Sequence, residues 1–183
     1  MRVLLEITLP DRLKTHMDPL PQYFLMEEIV CIEVELCFHS SIVDLEKKLV
    51  TAAEVFSEKE QRESTLLDLM KHLQGKVTHS LVIEAALPAG EVQVMAPHIY
   101  TSTDGTFVFA GSLNEVIRVS SGGLQRSLII CLLIYYVKNL EYPSAFSQIL
   151  FLVQKIVLPG EIIPRGLVSA RLRKFLTVLN KIL

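Results

Sequence analysis

The chain has 183 residues, of which 50% are apolar and 21% charged, with three cysteines and no tryptophan. This much apolar side chain can fill the core of one domain, which excludes a disordered chain, a collagen-like repeat and a disulfide scaffold. The net charge is −2, but residues 1–111 carry 9 basic and 17 acidic side chains (net −8), and residues 112–183 carry 9 basic and 3 acidic ones (net +6). Such asymmetry indicates either a polyanion partner or two halves whose charges face each other or water.

The sequence predicts an intracellular protein without a membrane span. Glu6 interrupts the apolar start of the chain and no small-residue cleavage site follows, so we expect no secretory signal. The longest apolar run, Leu128–Val137, is about half as long as a spanning helix requires. Three cysteines cannot all pair, and there is no Asn-x-Ser/Thr sequon. These features favour the cytoplasm or the nucleus.

The first predicted elements are strands. Met1–Thr8 predicts a short strand, and three prolines between Pro10 and Pro21 prevent a regular element there. From Ile29 to His39 the chain alternates strictly, with five apolar residues on one face, which predicts the clearest strand of the sequence. Glu33 and Glu35 would then share the other face as solvent-facing neighbours.

A helical region follows. Ser41 and Asp44 are spaced as in a capping box, and apolar residues then recur at steps of three and four. The polar run Ser57–Thr65 interrupts this stripe, which resumes until Gly75. The pattern predicts either two helices or one long helix with a solvated middle.

The middle of the chain is rich in strand-forming residues, and the end is helical. We predict strands within 76–87, 91–95, 99–102 and 106–110, with Asp104-Gly105 as a hairpin turn, and a further short strand within 113–119. We predict helices over 124–139, 143–158 and 168–183, with Pro143 in the first turn of the second. This order predicts an α+β fold in a single domain, with a mixed or antiparallel sheet and a C-terminal three-helix bundle. Residues 1–111 form its strand and helix part, and residues 112–183 its helical part.

No residue pattern specifies a reaction. Cys31, Cys37 and His39 share a face of the predicted strand, but Cys31 and Cys37 would lie roughly 20 Å apart, too far for one zinc ion. No nucleophile elbow or metal-binding histidine pair occurs, and the histidines are scattered through the first hundred residues: His16, His39, His72, His79 and His98. We therefore predict no enzyme, no metal site and no cofactor.

Two further patterns are candidate binding sites. The turn Ser120–Gly123 precedes a helix, where backbone amides can hold phosphate, with Arg126 as the cation to test, but no Walker or dinucleotide pattern is present. We predict a sharp turn there instead. The last helix is amphipathic and basic, and its cations are the candidate partner-binding residues: Arg171, Arg173, Lys174 and Lys181. Its apolar stripe, from Val168 to Leu183, predicts packing on the rest of the protein.

The region 105–158 resembles the C-terminal region of a large vertebrate family, abundant in fish, that includes relatives of sterile alpha motif domain-containing protein 3. Its signature is an apolar helix ending in an Asn-Leu-x-Tyr-Pro turn, followed by a helix with Phe and Gln-Lys. The matching positions are Asn139, Leu140, Tyr142, Pro143, Phe151, Gln154 and Lys155. Tyr135–Lys138 and the glycine-rich turn at 120–123 depart from the family pattern. The resemblance implies a helical closing module in an intracellular protein, and it brings no activity, substrate or cofactor.

We interpret the chain as a non-catalytic protein-interaction or regulatory domain with a protein partner. The strand Ile29–His39, if it lies at a sheet edge, and the basic last helix would be its working surfaces. The alternative is a nucleic-acid-associated factor that uses the basic C-terminal part.

Overall fold

The computed structural model describes residues 19–75, 79–85, 96–112 and 114–183. The predicted strands at 1–8 and 91–95 lie outside these residues. The six helices described are α1 (Glu27–Phe38), α2 (Ile42–Glu60), α3 (Leu66–Gln74), α4 (Gly123–Val137), α5 (Ser147–Val157) and α6 (Ala170–Leu179). The four strands are β1 (Val82–Ile83), β2 (His98–Ser102), β3 (Gly105–Phe109) and β4 (Val116–Val119). The predicted α+β class and single domain are confirmed.

The strands form one mixed sheet in the order β1-β2-β3-β4. Strand β1 pairs with β2 in parallel, whereas β2, β3 and β4 pair antiparallel. The predicted hairpin is confirmed, because Ser102 pairs with Gly105 across the turn, and Gly105 has φ +131°, a value that favours glycine.

Helix α4 occupies the centre of the molecule. It contacts β2, β3 and β4 on one side and the helices α1, α2 and α5 on the other. Ten of its fifteen residues are therefore buried, and Leu132 is 2% exposed. Among the described helices, none is long and apolar enough to cross a membrane.

The sheet has a second packed face, turned away from this core. His98, Tyr100 and Phe109 alternate in register with the core-facing residues and form a ring cluster, with the His98 ring 4.9 Å from each of the other two. His98 Nδ1 lies 2.7 Å from the Ala96 carbonyl oxygen, and its Nε2 has no hydrogen-bond partner among the described residues. Burial lowers the pKa of His98, an effect that the bond to Ala96 partly opposes.

The predicted strand at Ile29–His39 is wrong, because these residues form helix α1. Its buried apolar residues, Val30, Val34 and Phe38, follow each other at steps of four, so the alternating pattern also contains a helical period. Ile32 and Leu36, which the strand would have buried with them, are 43% and 40% exposed. Two glutamates in the first turn also favour the helix.

The prediction that Glu33 and Glu35 share one solvent-facing side fails for the same reason. Side chains two positions apart on a helix point to different sides. Glu33 is 7% exposed and accepts a hydrogen bond from Cys37 Sγ at 3.7 Å, so it is not the solvent-facing residue that we expected. Glu35 instead accepts from the Ile42 amide at 3.2 Å.

The helical region 41–75 consists of two helices, α2 and α3. The Ser41 hydroxyl accepts from the Asp44 amide at 3.1 Å and caps α2, as the sequence predicts. Helix α2 ends at Gln61, which has a left-handed backbone with φ 53°. Thr65 and Asp68 then form a complete capping box that starts α3.

The C-terminal helices exist as predicted, with different ends. Helix α5 begins at Ser147, not at Pro143, whose carbonyl instead accepts from the Phe146 and Ser147 amides, each at 2.9 Å. Pro143 therefore belongs to a separate turn before the helix. Helix α6 is shorter than predicted, and Ile182 and Leu183 beyond it are each 53% exposed.

Candidate functional site

The candidate partner-binding residues of α6 are all at the surface. The apolar stripe of α6 is buried through Leu172, Phe175 and Leu179, and the Phe175 ring lies 6.4 Å from that of Phe56 in α2. The four cations remain exposed: Arg171, Arg173, Lys174 and Lys181. The Arg171 guanidinium donates to the His72 carbonyl at 3.3 Å. We call these four cations, three on α6 and Lys181 just beyond its end, the α6 basic face.

The cysteines show no metal-binding arrangement. The strand geometry that separated Cys31 from Cys37 does not apply, because on α1 six residues span about 9 Å along the helix axis. Burial, helped by the neighbouring Glu33, raises the pKa of Cys37 to about 12, so this thiol keeps its proton. Among the described residues, no group of three or more His, Cys, Asp or Glu is placed to hold a metal ion. All three cysteines of the chain are free.

The glycine turn before α4 is a sharp turn, as predicted. Gly122 and Gly123 have φ of +73° and +54°, and a Cβ on Gly122 would lie 2.4 Å from Glu46 Oε1. Arg126 is fully engaged with carboxylates: its Nε lies 2.5 Å from Glu46 Oε1, and its Nη1 lies 3.2 Å from Glu27 Oε1. These pairs join the start of α4 to α1 and α2, so Arg126 supports the packing of α4.

A buried ion pair fixes the other end of α4. Lys138 Nζ lies 2.8 and 3.0 Å from the two carboxylate oxygens of Glu115, and these residues are 5% and 6% exposed. The same carboxylate accepts from the Leu20 amide at 2.6 Å and from the Ser112 hydroxyl at 3.0 Å. Four hydrogen bonds thus satisfy this buried charge.

The chain reverses immediately after this pair. Asn139 has a left-handed backbone with φ 50°, its amide donates to the Tyr136 carbonyl at 3.1 Å, and the Leu140 amide donates to the Tyr135 carbonyl at 2.9 Å. This is the Schellman motif, with Asn139 as the left-handed residue that follows the helix. Residues 140–142 are folded back beside the last turn of α4.

An open groove of about 940 Å³ lies at this corner, and we call it the α4–α5 groove. The described residues that line it are Tyr135, Tyr136, Asn139, Leu140, Glu141, Tyr142, Ser144, Ser147, Phe151, Gln154 and Leu167. They come from the end of α4, the connection, α5 and the turn before α6. Tyr136 and Leu167 are 47% and 55% exposed, so the groove opens to solvent through apolar side chains.

The rings in the groove hold one another in place. Tyr142 lies edge-on to Tyr135 and to Phe151, with ring centroids 5.5 and 5.2 Å apart. Tyr136 lies edge-on to Phe38 of α1 at 6.1 Å. Tyr135 donates its hydroxyl to the Pro97 carbonyl at 2.9 Å, which ties the groove to the sheet. The groove is therefore a preformed shape.

Two polar side chains of the groove, Tyr142 and Gln154, form a short chain of hydrogen bonds with Glu161. Tyr142 donates to Gln154 Oε1 at 3.0 Å, and Gln154 Nε2 donates to Glu161 Oε2 at 2.5 Å. Burial is the main cause that raises the pKa of Tyr135 and of Tyr142, so both phenols stay neutral. Glu141 is the only charged side chain among the described lining residues.

The sequence pattern did not predict this groove. Five residues of the family-like signature line it, namely Asn139, Leu140, Tyr142, Phe151 and Gln154, although the resemblance implied only a helical closing module. The sequence did contain a signal for an aromatic site, because three of the five tyrosines of the chain fall within residues 135–142. Only the reversal after α4 brings them together with α5.

Comparisons with protein-family models, with curated proteins and with solved structures find no match to this chain.

Proposed function

We propose that this chain is a non-catalytic protein-interaction or regulatory domain of the cytoplasm or nucleus, and that the α4–α5 groove holds a segment of its partner. The observation that carries the proposal is the groove itself, a preformed concavity lined by four aromatic rings and open through Tyr136 and Leu167. Rigid aromatic side chains bury much area at little entropic cost, which is why they dominate protein interfaces.

The chemistry of the groove supports binding. Two of its three phenols, those of Tyr135 and Tyr142, are hydrogen-bonded and neutral. Besides the tyrosines, its described polar side chains are Asn139, Glu141, Ser144, Ser147 and Gln154. Neither histidine nor cysteine is among these described residues, so no hydroxyl there has a neighbouring imidazole to activate it. The three free cysteines fit a reducing compartment.

The test is selection of peptides from a random library on the intact chain, followed by affinity measurements with two matched variants. Tyr136 and Tyr23 are 47% and 50% exposed, but only Tyr136 lines the groove. We expect Tyr136→Ala to weaken the selected peptides at least about tenfold and Tyr23→Ala to leave them unchanged, since an aromatic anchor contributes above about 1–2 kcal/mol. Peptides that bind both variants equally, or no selected peptide at all, would overturn the proposal.

A second candidate function rests on the α6 basic face. Residues 162–183 contain no acidic side chain, and the four candidate cations are exposed, which favours contact with nucleic-acid phosphates. If they contact phosphates, replacing Arg171, Arg173 and Lys174 by Gln should flatten the slope of log affinity against log salt on duplex DNA by about two to three. Under the leading proposal, DNA binding is weak from the start and the triple variant keeps its peptide affinity.

A further inference from the structure

The described lining of the α4–α5 groove carries negative charge only. Glu141 is its only charged lining residue among those described. A second carboxylate, that of Glu161, lies beside the groove and accepts a hydrogen bond from the lining residue Gln154. The two lysines next to lining residues in the chain are engaged elsewhere: Lys138 pairs with Glu115, and Lys155 donates to the main-chain carbonyl of Glu161 and lines a different cavity, beside Arg173. Within the described part of the chain, Glu141 forms no ion pair. A cationic occupant would supply the missing positive charge.

The rings favour the same occupant. Aromatic rings carry negative charge on their faces and attract a cation placed over them. Tyr142 already has its edge contacts with Tyr135 and Phe151, and its hydroxyl is used by Gln154. Among the ring residues, Tyr136 at the rim is the most exposed and is the one that a ligand reaches first.

A planar cation fits this combination better than a compact one. A guanidinium is weakly hydrated, stacks on aromatic faces and forms two parallel hydrogen bonds with a carboxylate. An ammonium makes only a point contact and loses more hydration when it enters an aromatic groove. The same carboxylate repels phosphate, so the groove is unsuited to nucleic acid.

We propose that the α4–α5 groove recognises an arginine side chain of a partner protein, with the guanidinium stacked on the groove rings and paired with Glu141. This inference rests on the proposed function and specifies its ligand. It assigns Glu141 the role of specificity determinant and the rings the role of platform. The α6 basic face has no part in it.

The experiment uses two small probes on the intact chain, N-acetyl-arginine methylamide and its neutral analogue N-acetyl-citrulline methylamide. Amide chemical shifts in an NMR titration report the site. We expect the arginine probe to shift the amides of residues 139–142 saturably and to bind at least about tenfold more tightly than the citrulline probe. Added salt should weaken the arginine probe only.

Matched variants test the carboxylate. Glu141→Gln should remove most of the difference between the two probes, whereas Glu54→Gln, which changes an exposed glutamate of α2, should leave it intact. Equal binding of arginine and citrulline, or equal binding of a lysine probe, would overturn the inference. Dimerisation of the chain that Glu141→Gln abolishes would also overturn it, because the occupant would then be a second copy.

The inference and the proposed function fail in different ways. If peptides selected on the intact chain need Tyr136 but contain no enriched arginine, the ligand assignment is wrong and the interaction groove stands. If the selected peptides ignore Tyr136, the groove itself is not the interaction surface, and both are wrong.

Discussion

Helices α4 and α6 are both predicted by the sequence, but they have opposite places in the structure. Helix α4 lies between the sheet and three helices, and the ion pairs described for it are made at its two ends, by Arg126 and Lys138. Helix α6 buries one stripe and exposes the three charged side chains of its first half. The central helix therefore makes its ion pairs at its ends, whereas the peripheral helix exposes its charged side chains to solvent.

The largest expected effect comes from the buried end of α4. Lys138→Met leaves the Glu115 carboxylate buried without its counter-ion, and breaking such a pair costs about 3–5 kcal/mol of unfolding free energy. The matched change on α6, Lys174→Met, should stay within about 0.5 kcal/mol. Urea unfolding measures the free energy of unfolding of both variants. Equal losses of this free energy would contradict the proposed difference between the two helices.

The packed side of α4 should be nearly as sensitive. Leu132 is 2% exposed, so Leu132→Ala removes buried contacts and leaves a cavity, at a cost of about 2–5 kcal/mol. Leu183, after α6, is 53% exposed, and Leu183→Ala should cost less than about 0.5 kcal/mol. An unchanged melting midpoint for Leu132→Ala would place α4 outside the core.

Acid should destabilise the protein through His98, on the sheet face turned away from α4. Its pKa is lowered in the folded state by burial, so the unfolded chain binds more protons between that folded-state value and the ordinary value of about 6.5. Stability is therefore full above this window and falls as the pH drops through it, by up to about 1.4 kcal/mol per pH unit. Unfolding at pH 8, 7, 6 and 5 measures this.

The control for that measurement is His98→Phe, which keeps a ring between Tyr100 and Phe109 and cannot take up a proton. Its stability should change less between pH 7 and pH 5 than that of the natural chain. Parallel pH profiles for the two proteins would show that another group carries the acid sensitivity. Helix α6 contains no histidine and should not contribute.

The smallest expected effect is on the α6 basic face. Replacing Arg171, Arg173 and Lys174 together by Gln removes exposed charges and one hydrogen bond to the His72 carbonyl. Since isolated surface charges contribute little, the free energy of unfolding should change by less than about 1 kcal/mol. A larger loss would mean that these cations support the fold, and the contrast with α4 would weaken.

Local chemistry made part of the fold predictable. The cap at Ser41, the hairpin at Asp104-Gly105 and the turn at Gly122 each follow from neighbouring residues, and the structure contains all three. The strand predicted at Ile29–His39 failed because its residues satisfy both the strand and the helix period, and the contacts of Val30, Val34 and Phe38 with the core favour the helix.

The candidate site shows the same limit. The exposed cations of α6 followed from an amphipathic pattern that one helix contains by itself. The α4–α5 groove could not be predicted in this way, because its lining comes from α4, α5 and the turn at Leu167. These segments approach one another only because the chain reverses at Asn139 and Lys138 pairs with Glu115.

The sequence by itself determined the α+β class, the positions of most helices, the turn glycines and the basic character of the last helix, because these depend on residues close together in the chain. Only the tertiary structure decided that α1 is a helix, that Glu33 is buried and that the tyrosines of residues 135–142 form a groove. Those outcomes depend on contacts between distant segments, such as Leu20 with Glu115 and Arg126 with Glu27. The free energy of such contacts cannot be deduced from residues that are close together in the chain.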